Sequence, residues 1–296
     1  MASCSKIAAA GDYKIQRITK LIYPVPPVAN DEDSENEISQ RVINGQEAQE
    51  GQFPHAVWIT AFRGFVFRAR VFRCGGSIIS KYWILTAGHC IRHSSSYLDM
   101  TSYYIQAGTL VVDTPGVEPR QYDTIYEEDA FAHPEYNDTT LQNDIGLLKS
   151  HGFDFSTKYV QPIALAPSTW TDSEVRFLGK TFILSGYGNA VDNLRLPNHL
   201  RWTELDFYPM VECAAFYYSD VLPTSVFCAG DVVIPIHSGC SGDSGGALIF
   251  EKSPGKFVEV GVVSFGPGQP CSYAPGGFTS VALFRDWIDS TMAENS

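Results

Sequence analysis

The chain has 296 residues, 44% hydrophobic and 18% charged, with a formal net charge of −12. That balance supports a packed core and excludes wholesale disorder, and the acidity argues against a nucleic-acid partner, which would need a basic face. No stretch is long and apolar enough to cross a bilayer as a helix, so no membrane partner is expected.

Residues 1–41 differ in texture from the rest of the chain. They carry Pro24, Pro26 and Pro27 and then the acidic run Asp31-Glu32-Asp33-Ser34-Glu35-Asn36-Glu37, a composition that predicts an extended, solvated leader. The short run Ile7-Ala8-Ala9-Ala10 is too brief for the apolar centre of a signal peptide. If the protein is exported, the expectation is that its signal is missing from this chain.

From Val42 onward, short apolar runs alternate with Gly, Pro, Asn and Asp. His55–Thr60, Gly76–Ile79, Trp83–Thr86, Thr181–Leu184 and Val258–Val263 are strand-length and rich in β-branched and aromatic residues. Many such runs joined by tight turns predict an all-β sandwich or barrel pair. Between Ala61 and Arg73, four phenylalanines interleave with Arg63, Arg68, Arg70 and Arg73. This reads as a hairpin, either simply solvated or forming a basic rim that steers acidic substrate segments. The acids of 113–129 show no ordered ligand pattern, so neither a metal nor a cofactor is assigned. At the end of the chain, Leu283, Phe284, Trp287 and Ile288 fall at helical spacing and predict a C-terminal amphipathic helix. No internal repeat of fixed period is present.

The seven cysteines are Cys4, Cys74, Cys90, Cys213, Cys228, Cys240 and Cys271. None forms a CxxC, which disfavours zinc ribbons and thioredoxin-type sites. The last six could form three bridges in an oxidising compartment, and spacing alone leaves their pairing open.

Three segments carry chemistry. In Gly239-Cys240-Ser241-Gly242-Asp243-Ser244-Gly245-Gly246, glycines on both sides of a serine suit a tight turn that exposes its hydroxyl and nearby N–H groups. A serine needs a base to become a nucleophile, and Leu85-Thr86-Ala87-Gly88-His89-Cys90 offers one. In Asn143-Asp144-Ile145-Gly146-Leu147-Leu148 an acid opens an apolar run. A carboxylate buried there could fix the imidazole tautomer and stabilise the imidazolium.

These segments, in the order His, Asp, Ser, resemble those of trypsin/chymotrypsin-family serine endopeptidases from Val42 to about Asp289, and are similar in flavour to arthropod brachyurin-type chymotrypsins. The resemblance implies two six-stranded antiparallel β-barrels with a C-terminal helix. The active site would lie between the barrels: Ser244 as nucleophile, His89 as general base, Asp144 as its orienting acid, and the N–H groups of Gly242 and Ser244 as the oxyanion hole. Gly88 stands where the family more often has alanine, a departure too small to be expected to disturb His89.

Arg41-Val42-Ile43-Asn44-Gly45 resembles the family's activation junction. The resemblance implies a leader over 1–41 and a protease domain over 42–296. Cleavage after Arg41 by an activating protease would free the Val42 amine to pair with Asp243. It also implies the bridges Cys74–Cys90, Cys213–Cys228 and Cys240–Cys271. Cys4 has no evident partner, so the leader is expected to leave.

By the same resemblance, Ser238 floors the primary pocket without charge, Gly266 and Gly276 leave its walls open, and Ser264-Phe265-Gly266 pairs with the substrate backbone. The implied preference is for Phe, Tyr and Trp, with Leu or Met secondary. The expected product is a secreted, monomeric zymogen of a digestive protease. It would act on protein or peptide substrates and be open to protein inhibitors. A cascade or regulatory protease, or a non-catalytic binding homologue, is the alternative. Asn137-Asp138-Thr139 is the usable N-glycosylation sequon.

Overall fold

The computed structural model describes residues 45–63, 70–92, 100–113, 119–171, 176–188, 198–217, 222–231, 242–266 and 274–296, all within the unit Ser39–Ser296. The leader, Arg41, Val42, Ser238, Cys4, Cys240 and Cys271 lie outside the described residues, and with them the expected Cys240–Cys271 bridge.

The first half of the protein is a seven-stranded antiparallel sheet. Its strands are β2 (Ala56–Arg63), β3 (Arg70–Ser80), β4 (Trp83–Thr86), β5 (Met100–Ala107), β7 (Gln121–Tyr126), β8 (Ala130–Ala132) and β9 (Gly146–Lys149), in the order β7-β5-β2-β3-β4-β9-β8. The second half contains β11 (Thr181–Gly186), β13 (Arg201–Tyr208), β14 (Val226–Gly230), β15 (Ala247–Ser253), β16 (Lys256–Phe265) and β17 (Gly276–Ser280). These run in the order β13-β11-β15-β16-β17-β14, and pairing of β13 with β14 closes them into a six-stranded barrel. The first sheet is barrel-like but remains a half-barrel, since its end strands β7 and β8 have no pairing to each other among the described residues. The fold is thus all-β and barrel-paired, with the two halves unequal in closure.

Short strands stitch the halves together. β1 (Gln46–Glu47) precedes the first sheet but pairs with β13, while β6 (Val111–Val112) pairs with β12 (Asn198–His199). β10 (Ala164–Leu165) adds a parallel pair on β16.

Side-chain alternation explains why β2 is buried almost throughout. Val57, Ile59 and Ala61 point one way, into the large core, and Trp58 points the other way, against Tyr187 of the second half (ring centroids 5.8 Å apart). The second barrel has an aromatic centre, with Phe177 5.2–6.5 Å from Phe182, Phe207, Phe227 and Phe250. In β16, Val258, Val260 and Val262 join that core while Glu259 faces the opposite side.

Helix α2 (Arg285–Glu294), preceded by a 3₁₀ turn over Ala282–Phe284, occupies the expected C-terminal position. Ile288 is fully buried, and Phe284 and Trp287 pack on the His133 ring at 5.1 Å each. Leu283, by contrast, is exposed. Helix α1 (Met210–Phe216) has no counterpart among the expected elements. It has no side-chain N-cap and its one buried residue is Cys213, which is bonded to Cys228 of β14. A covalent tie substitutes there for an apolar face. The other described bridge joins Cys74 to Cys90, and loops of this length are worth about 3 kcal/mol each.

Candidate active site

Register brings His89 and Asp144 together. β4 and β9 run antiparallel with Thr86 opposite Gly146. The 3₁₀ turn just after β4, Gly88–Cys90, and the residue just before Ile145 and β9 therefore meet at one end of the pair. The turn is fixed by the Cys90 bridge to Cys74 on β3.

The contact between the two residues is double. The His89 backbone N–H donates to Asp144 Oδ1 at 2.8 Å, and His89 Nδ1 lies 2.8 Å from Asp144 Oδ2. Asp144 is fully buried, whereas the His89 side chain is 24% exposed. The second barrel completes the shell. Ser264 Oγ donates to Asp144 Oδ2 at 2.6 Å, and Thr279 Oγ1 donates to the Asp144 carbonyl at 2.8 Å. Burial alone would pull the His89 pKa down, but the Asp144 charge and its hydrogen bond outweigh burial and leave it raised above the ordinary 6.5. With Nδ1–H directed at Asp144, Nε2 is the basic nitrogen.

Ser244 sits in a turn just ahead of β15. Gly246 N–H donates to the Asp243 carbonyl at 2.9 Å, and exchanges at 2.8 and 2.9 Å link Gly245 and Gly246 to Val263. The turn is pressed onto the first half, where Gly75 N–H donates to the Ser244 carbonyl at 2.7 Å. Gly245, at φ +82°, has no space for a side chain, since a Cβ would run into Thr86 Oγ1 and sit 2.6 Å from the Gly75 carbonyl oxygen. Gly75 neighbours Cys74, and Thr86 lies three residues before His89, so the serine turn shares the seam that carries the His–Asp pair. Gly242, at φ +102°, opens the described part of the turn in a conformation that favours glycine.

Asp243 is 1% exposed, with Oδ1 accepting from Gly188 N–H at 2.8 Å. Gly186 and Gly188 flank it, and a Cβ on either would collide with its carboxylate. Phe265, half-buried at the end of β16, stacks edge-on against Tyr217 at 5.1 Å and covers Gly277. Tyr217 Oη donates to the Pro275 carbonyl, next to buried Gly276. Gly266 is exposed. The sequence pointed to Ser264 as a pocket residue acting through its backbone; its hydroxyl has a separate contact, with Asp144. Only a contact 120 residues apart in sequence reveals this.

Two further features were not legible in the chain. Gly88 is tightly enclosed: a Cβ would lie 3.1 Å from the Tyr136 ring and 3.2 Å from Ile145 N. Replacing it by alanine would need a few tenths of an ångström of adjustment beside His89. The sulfurs of Cys74 and Cys90 and a His89 nitrogen lie within 4.8 Å of one another. The two sulfurs are bonded together, so they offer no thiolate and the cluster does not fit a metal. Asn137 is exposed, and its Oδ1 accepts from the N–H groups of Thr139 and Thr140 at 3.0 Å each. A cavity of about 420 Å³ lies elsewhere, between the 49–56 segment, the 108–111 turn, Tyr187 and Leu200.

Comparison with known proteins bears on the family and the fold. Residues 42–288 match the family model described as Trypsin. The chain is 32% identical over 246 residues to phenoloxidase-activating enzyme 1 of Spodoptera litura; the alignment covers 76% of this chain but 60% of that enzyme, less than two thirds of its length. It is 30% identical over 262 residues to human chymotrypsin-like elastase family member 3A, covering 87% of this chain and 91% of the relative. A solved structure of HL collagenase superposes with a TM-score of 0.69 at 28% identity, covering 85% of this chain and 98% of the other.

Proposed function

The chain belongs to the trypsin family and is a serine endopeptidase, and within that frame we propose that it cleaves after large apolar or aromatic residues, with Ser244 as nucleophile, His89 as base and Asp144 as orienting acid. The observation that carries this reading is the doubly bonded His89–Asp144 pair, with its acid fully buried on the seam that the Ser244 turn also abuts. As Ser244 Oγ attacks the substrate carbonyl carbon, its proton passes to His89 Nε2. The N–H groups of Gly242 and Ser244 receive the oxyanion, a contribution of roughly 2.7–4 kcal/mol per donor. The C–N bond breaks as His89 returns the proton to the leaving amine. Water then adds to the acyl-serine by the same relay, regenerating the hydroxyl.

The enzyme is made as a secreted zymogen, with 1–41 as leader and 42–296 as the protease domain. After cleavage at Arg41, the Val42 ammonium pairs with Asp243. The glycine cradle around that carboxylate supports the reading, because a buried acid next to backbone this close suits a small, fixed cation. Ser238 floors the pocket, and Ser264-Phe265-Gly266 and Gly276 line it. Cys240 pairs with Cys271, Asn137 accepts a glycan, and protein inhibitors bind the same cleft of a monomeric enzyme. A broad apolar pocket suits digestion. The likeness to a phenoloxidase-activating enzyme favours a second reading, limited cleavage within a cascade.

The test uses protein activated by a protease that cuts after Arg. An organophosphate should label Ser244, and peptide substrates with Phe, Ala and Arg before the scissile bond should be cleaved fastest at Phe. Absence of labelling overturns the nucleophile, and fastest turnover at Arg overturns the pocket. Cleavage restricted to one site in a mixed peptide library would replace digestion by the cascade reading.

A further inference from the structure

Asp144 belongs by sequence to the first half of the protein, yet the segment that delivers it is fastened to the second. Asn137 N–H donates to the Gln142 carbonyl at 3.0 Å, closing the loop ahead of the acid. The two residues that leave this loop then reach across the seam. Gln142 Oε1 accepts from the Thr224 N–H at 3.1 Å and from the Thr224 hydroxyl at 3.4 Å. In return, Asn143 N–H donates to Ser225 Oγ at 3.0 Å.

Ser225 is itself well anchored. It is 3% exposed, sits immediately before β14, and its carbonyl accepts from Ser280 N–H at 2.9 Å.

The backbone around this clamp is unusual. Leu141 and Asn143 both lie at φ 57°, in the left-handed region. Asparagine tolerates that region and leucine does not, so the surroundings must hold it. Asn143 Nδ2 donates to the Glu135 carbonyl at 3.1 Å, and Ile145 N–H donates to the Asn143 carbonyl at 2.9 Å. That last bond spans two residues, so Asp144 is the middle residue of a γ-turn. The direction of its side chain therefore depends on the backbone angles at Asn143, which link the Asn143 carbonyl used by the γ-turn to the preceding peptide, whose N–H ends on Ser225.

We propose that Ser225 is a positioning residue for the proton relay: its hydroxyl, offered from the second barrel, fixes the left-handed Asn143 backbone and thereby aims the Asp144 carboxylate at His89. The inference rests on the relay reading above. Without the hydroxyl, the Asn143 N–H loses its acceptor at a poorly solvated seam. The γ-turn can then relax, and the 2.8 Å contacts from Asp144 to His89 lengthen. His89 gains its raised basicity from those contacts, so a loosened Asp144 lowers it.

The decisive experiment measures kcat, KM and the pH dependence of kcat/KM for activated wild-type protein, Ser225→Ala, Gln142→Ala and Asp144→Asn, with thermal melting as the check on folding. For Ser225→Ala, kcat should fall roughly tenfold, the scale on which small misplacements of a catalytic group are felt. KM should be unchanged and the acid limb displaced to lower pH. Gln142→Ala should show a smaller loss in the same direction, and it decides the matter if Ser225→Ala does not fold. Wild-type kcat and acid limb in a folded Ser225→Ala protein, or a loss of kcat without any movement of the limb, overturns the proposal. The Asp144→Asn arm separates the two failures. If that variant is inactive while Ser225→Ala behaves as wild type, only the positioning role falls. If Asp144→Asn keeps full activity, the relay itself falls.

Discussion

Asp144 and Glu259 are both fully buried acids at the meeting of the two halves, and their surroundings are opposite. Asp144 has three donors on its carboxyl oxygens: the His89 N–H, the His89 ring and the Ser264 hydroxyl. Glu259, on the face of β16 turned away from the barrel core, has one. Ser77 Oγ of β3 lies 2.5 Å from its Oε2, and Oε1 has no hydrogen-bond partner among the described residues. Burial drives the Glu259 pKa up to about 8 against the opposing pull of the Ser77 hydrogen bond. At neutral pH Glu259 is therefore a protonated, uncharged bridge between the halves. Burial is common to the two acids; what differs is the number of donors on the carboxyl oxygens, three at Asp144 and one at Glu259.

The contrast breaks most visibly at Asp144. Asp144→Asn should lower kcat by roughly 10⁴-fold, because the amide favours the wrong imidazole tautomer. In the wild type the acid limb of kcat/KM should lie above pH 6.5, since His89 must be neutral to act and its pKa is raised. A pH–rate profile on both proteins checks this, and the residual activity of the variant should titrate lower. The same shift has a stability consequence. His89 contributes stability that is present below pH 6.5 and lost as pH rises through its folded value.

Glu259→Gln should do the reverse, leaving kcat near wild type while changing how stability depends on pH. Between about pH 4.5 and 8 the unfolded chain ionises Glu259 and the folded protein does not. Wild-type stability from this group therefore falls as pH rises through that window, with an upper bound of about 4 kcal/mol at pH 7.5. Urea unfolding at pH 5 and pH 8 should show the variant gaining on the wild type at the higher pH. A pH-independent difference would mean that Glu259 is already ionised. The smallest effect belongs to Ser77→Ala, which removes the bridge's hydrogen bond and should cost about 1–3 kcal/mol at any pH where Glu259 is neutral, read as a lower urea midpoint with unchanged kcat.

Local pattern carried much of the fold. Trp83–Thr86 and Val258–Val263 are strands because β-branched and aromatic side chains suit a pleated, buried surface, and both appear where expected. Phe284, Trp287 and Ile288 mark the last helix by their spacing, although Leu283, at the same period, faces solvent. Helix α1 was invisible because its stability comes from the Cys213–Cys228 tie rather than from an apolar stripe. At the site, the Gly-rich turn and the His and Asp segments were legible as chemistry. The contacts of Ser264, Ser225 and Gly88 were not, because each involves a partner from another part of the chain.

The sequence alone determined the residue types of the proposed relay, the strand-rich texture and the glycines at the serine turn, because these arise from side-chain chemistry and local backbone freedom. Only the tertiary structure decided which donors surround each buried acid. Electrostatics and hydrogen bonding act through space, and a seam between two sheets places Ser264 on Asp144 across 120 positions and Ser77 on Glu259 across 182.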